Sequence, residues 1–141
     1  MLFSSSARAA LCMLLLFLAP VRASLAAGPS DELAPGFDAC MKKAERTMEV
    51  NACLQDAYSY WDESLNRHYR QLMKKRSGSG LAEGRQDLQK AQRAWLAYRD
   101  SMAVCLSRTE GGTIDVLRST EFLARETRRQ DRLLARMLNS E

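Results

Sequence analysis

A chain of 141 residues, 46% of them apolar and 27% charged, has material for one small domain around a single core. Its 21 Lys and Arg stand against 17 Asp and Glu, and a formal charge of +4 spread over interleaved acids and bases argues solubility rather than a nucleic-acid partner. One histidine and four cysteines leave little from which to build a metal centre.

Met1 to Ser6 is short and polar, Arg8 supplies a positive charge, and Ala9 to Ala19 is an almost unbroken apolar run. Pro20 ends that run, and small residues follow at Ala23, Ser24, Ala26 and Ala27. This is the layout of a secretory signal peptide, so residues 1–26 are expected to be cleaved, after Ala23 or Ala26. The run falls short of the roughly 20 residues a spanning helix needs, and no stable membrane insertion is expected after cleavage. Cys12 lies inside the apolar run with Met13 to Leu18 still to come, which argues against a lipid anchor there. The expected product is a soluble periplasmic or secreted protein. Losing Arg8 and Arg22 takes the balance to 19 bases against 17 acids, a charge of +2.

Residues 27–36, with Gly28, Pro29, Pro35 and Gly36, read as a flexible lead-in, and 37–141 as the folded domain. Phe37 to Arg46 fits a short helix carrying Cys40. Thr47 is placed to cap a long helix, with Glu49 in its first turn. Val50, Leu54, Ala57, Trp61, Leu65 and Leu72 then recur at helical spacing, until Ser77-Gly78-Ser79-Gly80 stops them. A second helix begins near Glu83 and runs to about Arg108, with Leu88, Ala91, Trp95, Tyr98, Met102 and Cys105 as its expected seam. Gly111-Gly112 breaks it, and Thr113 with Asp115 opens a third.

Two helices joined by a short turn lie antiparallel, and the expected partners Leu72–Leu88, Leu65–Trp95, Trp61–Tyr98 and Leu54–Leu106 have numbers adding to about 160 in each case. The third helix has apolar ends and a polar middle from Arg125 to Arg132, and is expected to pack by its ends and by arginine stems. The fold class expected is all-α: a small three-helix bundle built on an antiparallel hairpin, with a short N-terminal helix stapled to it.

No constellation for catalysis emerges, so the chain is read as a non-enzyme without a cofactor. His68 is the lone histidine and lacks a spaced set of co-ligands. In the register above it lies about 20 Å from Cys105, at 1.5 Å per residue, too far for a nucleophile–base pair. Trp61, Trp95 and Tyr98 read as core aromatics, and Arg99-Asp100 as an interhelical or rim pair. The six arginines between Arg118 and Arg136 alternate with acids and read as a solvated face, with no nucleic acid implied.

Three cysteines remain after cleavage, in an oxidising compartment. Cys40–Cys53 is the preferred bridge, closing a short loop worth roughly 3 kcal/mol in the chain-entropy model. The register also brings Cys105 near Cys53, so a bridge to Cys105 stays open as the alternative.

Several stretches taken together carry a resemblance. They are Asp38-Ala39-Cys40, Thr47-Met48-Glu49-Val50-Asn51-Ala52-Cys53, Leu65 to Leu72, and the run Ala91-Gln92-Arg93-Ala94-Trp95-Leu96-Ala97-Tyr98-Arg99-Asp100. The Gly111-Gly112-Thr113-Ile114 turn and Leu123 with Thr127 complete the set. Over about Phe37 to Leu138 the chain resembles the LprI-type lysozyme-inhibitor domain, a family of small exported helical proteins. Trp95, Tyr98, Arg99 and Asp100 carry the most specific part of that signature. The family pattern has four cysteines, and its third and fourth positions fall here on Ala103 and Phe122. The resemblance therefore implies Cys40–Cys53 as the bridge retained, with Cys105 a free and buried thiol. It further implies binding to lysozyme, which would protect peptidoglycan. The alternative is a structural or stress-related cell-envelope protein of the same family that inhibits nothing.

Overall fold

The computed structural model describes residues 32–77 and 82–140. The expected signal peptide, residues 27–31 of the lead-in and residues 78–81 lie outside the described residues. Four helices follow one another: α1 (Phe37–Met41), α2 (Thr47–Lys75), α3 (Ala82–Leu106) and α4 (Thr113–Ser140). The described residues contain no strand. The expected all-α bundle, with its short stapled N-terminal helix, is what the chain forms.

α2 and α4 begin where local chemistry provides for it. The Glu49 carboxylate accepts the backbone N–H groups of Glu45 (2.8 Å) and Arg46 (3.1 Å), which closes the start of α2. The cap position is Arg46 rather than Thr47, which is the first helical residue. At α4 the Asp115 carboxylate does the same for Glu110 N–H (2.9 Å) and Gly111 N–H (2.7 Å). Gly111 and Gly112 take positive φ values of 84° and 99°, which a side chain would resist. α1 has five residues and buries none of them. The Cys40–Cys53 disulfide holds it on α2, across a Cα–Cα distance of 5.8 Å.

Side-chain bonds set the helix directions. Asn51 meets Thr120, His68 meets Asp131 and Lys75 meets the Leu138 carbonyl, so numbers rise together and α4 runs parallel to α2. Gln92 meets Gln130, Trp95 meets Glu126 and the Ala103 carbonyl meets Ser119, so α3 runs antiparallel to α4. Between α2 and α3, Arg76 donates to the Gly84 carbonyl at 2.9 Å, and Arg99 lies 3.6 Å from Asp62, both near the expected hairpin register. Two apolar clusters fill the bundle. Leu65, Leu72, Leu88 and Leu134 form one, flanked by Tyr69, Met73, Trp95 and Met137. Leu33, Ala34, Leu54, Ala57 and Ala124 form the other, flanked by Phe37 and Trp61.

Several expectations require correction. The lead-in 27–36 is not loose throughout, since Leu33 and Ala34 are buried and the Leu33 carbonyl accepts the Trp61 indole N–H at 2.7 Å. That bond turns Trp61 toward the N-terminal segment, so it does not face Tyr98. Tyr98 is exposed and meets Phe122 edge-on, with centroids 6.3 Å apart. The inward line of α3 is Leu88, Gln92, Trp95, Arg99 and Ala103, rotated from the expected seam, because Gln92 and Arg99 find polar partners inside. Ala91, Tyr98, Met102 and Cys105 face outward instead, and Cys105 is a free but exposed thiol rather than a buried one. α4 does not pack by its ends alone. Ala124, Glu126, Thr127 and Asp131 in its middle are buried, and α4 is the element on which α2 and α3 both close.

Candidate functional site

The interior between the helices is unusually polar, and most of its polar groups are matched. His68 Nδ1 lies 2.7 Å from Asp131 Oδ1. A carboxylate only accepts, so the proton sits on Nδ1. Trp95 Nε1 donates to Glu126 Oε1 at 3.4 Å, and the other oxygen of Glu126 takes Arg129 Nη1 at 3.0 Å. Thr120 Oγ1 lies 2.9 Å from Asn51 Oδ1. Thr127 Oγ1 has no hydrogen-bond partner among the described residues.

Arg99 is the centre of the signature run. Its guanidinium stacks 5.0 Å from the Trp95 ring and 5.6 Å from the Tyr58 ring. Nε and Nη2 both reach Asp100 Oδ1 at 2.9 Å. Burial is the first cause holding the Tyr58 hydroxyl above its ordinary pKa, and the nearby Arg99 charge works against it. Arg99, oriented by Asp100, thus ties α3 to α2 through Tyr58 and Asp62, while Trp95 and Tyr98 reach α4 through Glu126 and Phe122. The run is placed to build the bundle.

A surface with interface character lies at one end of the molecule, where α2 begins, α3 stops and α4 starts. The turn 107–112 connecting α3 to α4 is held from both sides. Thr109 Oγ1 bonds the Leu106 carbonyl at 3.2 Å, and Asp115, itself fully buried, takes the two N–H groups given above. Those N–H bonds, Glu110 first and Gly111 second, hold the Asp115 carboxyl below its ordinary pKa. Arg118 Nη1 ties Glu110 (2.9 Å) and Asp115 (3.5 Å) together across the turn. At this end, near the termini of their helices, Met48, Val104, Ile114 and Val116 are exposed, Met48 by 85%. Exposed apolar side chains beside an ordered polar loop are features that protein docking surfaces share. Sequence reasoning assigned no binding residues here, because hydropathy does not show which apolar side chains the packed helices leave exposed.

Chemistry of other kinds finds less support. The described residues contain no group of three or more His, Cys, Asp or Glu disposed to hold a metal ion. Among them, neither ring nitrogen of His68 is hydrogen-bonded to a hydroxyl or thiol. No helix among the described residues is long and apolar enough to cross a membrane.

The fold and this end define a disulfide-stapled helical domain with a polar interior and a surface suited to contact with another protein. The family model described as "Lysozyme inhibitor LprI" matches residues 39–136, and the chain belongs to that family. It is also 30% identical over 109 residues to an uncharacterized protein of Rhizobium meliloti (strain 1021), a match covering 70% of this chain and 78% of that protein. No solved structure matches the chain significantly.

Proposed function

We propose that this protein is an exported, non-catalytic domain that binds a lysozyme, blocks its action and so protects peptidoglycan. Family membership supports the partner class. The single observation that carries the site is the turn 107–112, fixed by Asp115, with Met48, Val104, Ile114 and Val116 exposed at the same end. A preorganised turn loses little conformational freedom on binding, which favours a blocking role. The Cys40–Cys53 bridge supports an oxidising, extracytoplasmic location.

The test is lysis of bacterial cell walls by several lysozymes, with and without the protein purified after export. Slower lysis by at least one lysozyme is expected, with loss of the effect in a Met48→Asp, Val104→Asp variant of unchanged helicity. Undiminished lysis by every lysozyme at molar excess of protein would refute inhibition. The chain would then be a structural or stress-related envelope protein of the same family.

A further inference from the structure

Charge that alternates along α4 in sequence separates once the helix is packed. α4 carries six arginines (118, 125, 128, 129, 132, 136) and four acids (115, 121, 126, 131). Asp115, Glu126 and Asp131 are buried, each engaged as described above, so Glu121 alone of the acids lies toward solvent. Arg118, Arg125, Arg129, Arg132 and Arg136 are all exposed. Arg125, Arg129, Arg132 and Arg136 follow one another at steps of four, three and four, one line along the helix. The line is about 16 Å long at 1.5 Å per residue. Arg128 flanks it, lying 5.6 Å over the Trp61 ring. Even with Arg125 paired to Glu121 (2.7 Å) and Arg129 to Glu126 (3.0 Å), a near-neutral sequence thus presents a net positive face.

We propose that this α4 face docks on a bilayer surface bearing anionic phospholipid headgroups. Guanidinium forks match phosphate oxygens, and a straight row on a rigid helix meets a plane of separate charges better than it surrounds one ion. Leu133, exposed beside the row, supplies an apolar contact of the kind interfacial helices use. The docking is peripheral, since no described helix is apolar enough to span. It uses a different surface from the α3–α4 turn and does not depend on the lysozyme reading.

The test is co-sedimentation of the exported, purified protein with phosphatidylcholine vesicles and with phosphatidylcholine–phosphatidylglycerol vesicles. Binding is expected to the second only, and to fall steeply with salt. Each arginine at such a surface contributes about a fivefold factor, so an Arg125→Gln, Arg132→Gln, Arg136→Gln variant should bind roughly 100-fold more weakly. A variant with Arg67, Arg70 and Lys74 changed to Gln, equal in charge but on the outer face of α2, should bind nearly as well as the parent. Equal loss in both variants, or equal binding to neutral vesicles, overturns the proposal. So does complete displacement by inorganic phosphate at matched phosphate concentration, which would mark a discrete ion site. Heparin binding without vesicle binding would assign the face to a linear polyanion and equally overturn it.

Discussion

Asp131→Ala tests the reasoning about the polar interior most directly. Asp131 is 3% exposed and its carboxylate meets His68 Nδ1 at 2.7 Å, across the α2–α4 seam. Removing one partner of a buried hydrogen bond costs about 1–3 kcal/mol, most of it from the group left behind unsatisfied. Here that group is His68, whose side chain is 26% exposed and can recover some water, so a cost of about 2 kcal/mol is expected. For a domain near this size that lowers Tm by roughly 10 °C. His68→Ala leaves Asp131, the more deeply buried partner, without its donor and should cost at least as much. Replacing both together by alanine should cost less than the two single changes summed, because neither unpaired group remains. Urea unfolding followed by circular dichroism, run as a double-mutant cycle, gives all three values. A cost below about 0.5 kcal/mol for Asp131→Ala, or simple additivity of the two single changes, would refute the claim that this pair joins α2 to α4.

Leu72→Ala, at a side chain with no exposure in the cluster shared by α2, α3 and α4, should destabilise by about 2–5 kcal/mol in the same assay; a change under 1 kcal/mol would mean the cluster is not a packed core. Asp115 and Glu49 are both held below the ordinary carboxylate pKa by backbone N–H bonds made only in the folded chain. Their stabilisation is therefore full above that range and lost as pH falls through the lowered values, so Tm should drop on acidification and Asp115→Asn should flatten the drop; an unchanged slope in the variant would contradict the capping role. A maleimide should label Cys105 in the native protein and Cys40 and Cys53 only after reduction, with the latter two joined in a non-reduced digest. Converting that pair to serine should cost about 3 kcal/mol, and label on either of the two before reduction would show the bridge wrong.

The sequence by itself determined the helices and their punctuation and the hairpin register near Leu72–Leu88 and Leu65–Trp95, and preferred the Cys40–Cys53 staple that the structure forms. Apolar spacing, turn residues and cysteine separation are local signals, and they hold wherever burial follows hydrophobicity. The tertiary structure alone decided what happens where polar residues turn inward. Gln92 and Arg99 displaced Ala91 and Tyr98 from the seam of α3, and Thr127 and Asp131 brought the middle of α4 into the core. A periodicity argument ranks such residues as outside, because their burial is favourable only once a specific partner on another helix meets them. The same fact hid both candidate surfaces. Buried acids leave α4 with a basic exterior, and Asp115, folded back on the chain to fix the turn 107–112, holds that turn among exposed apolar side chains.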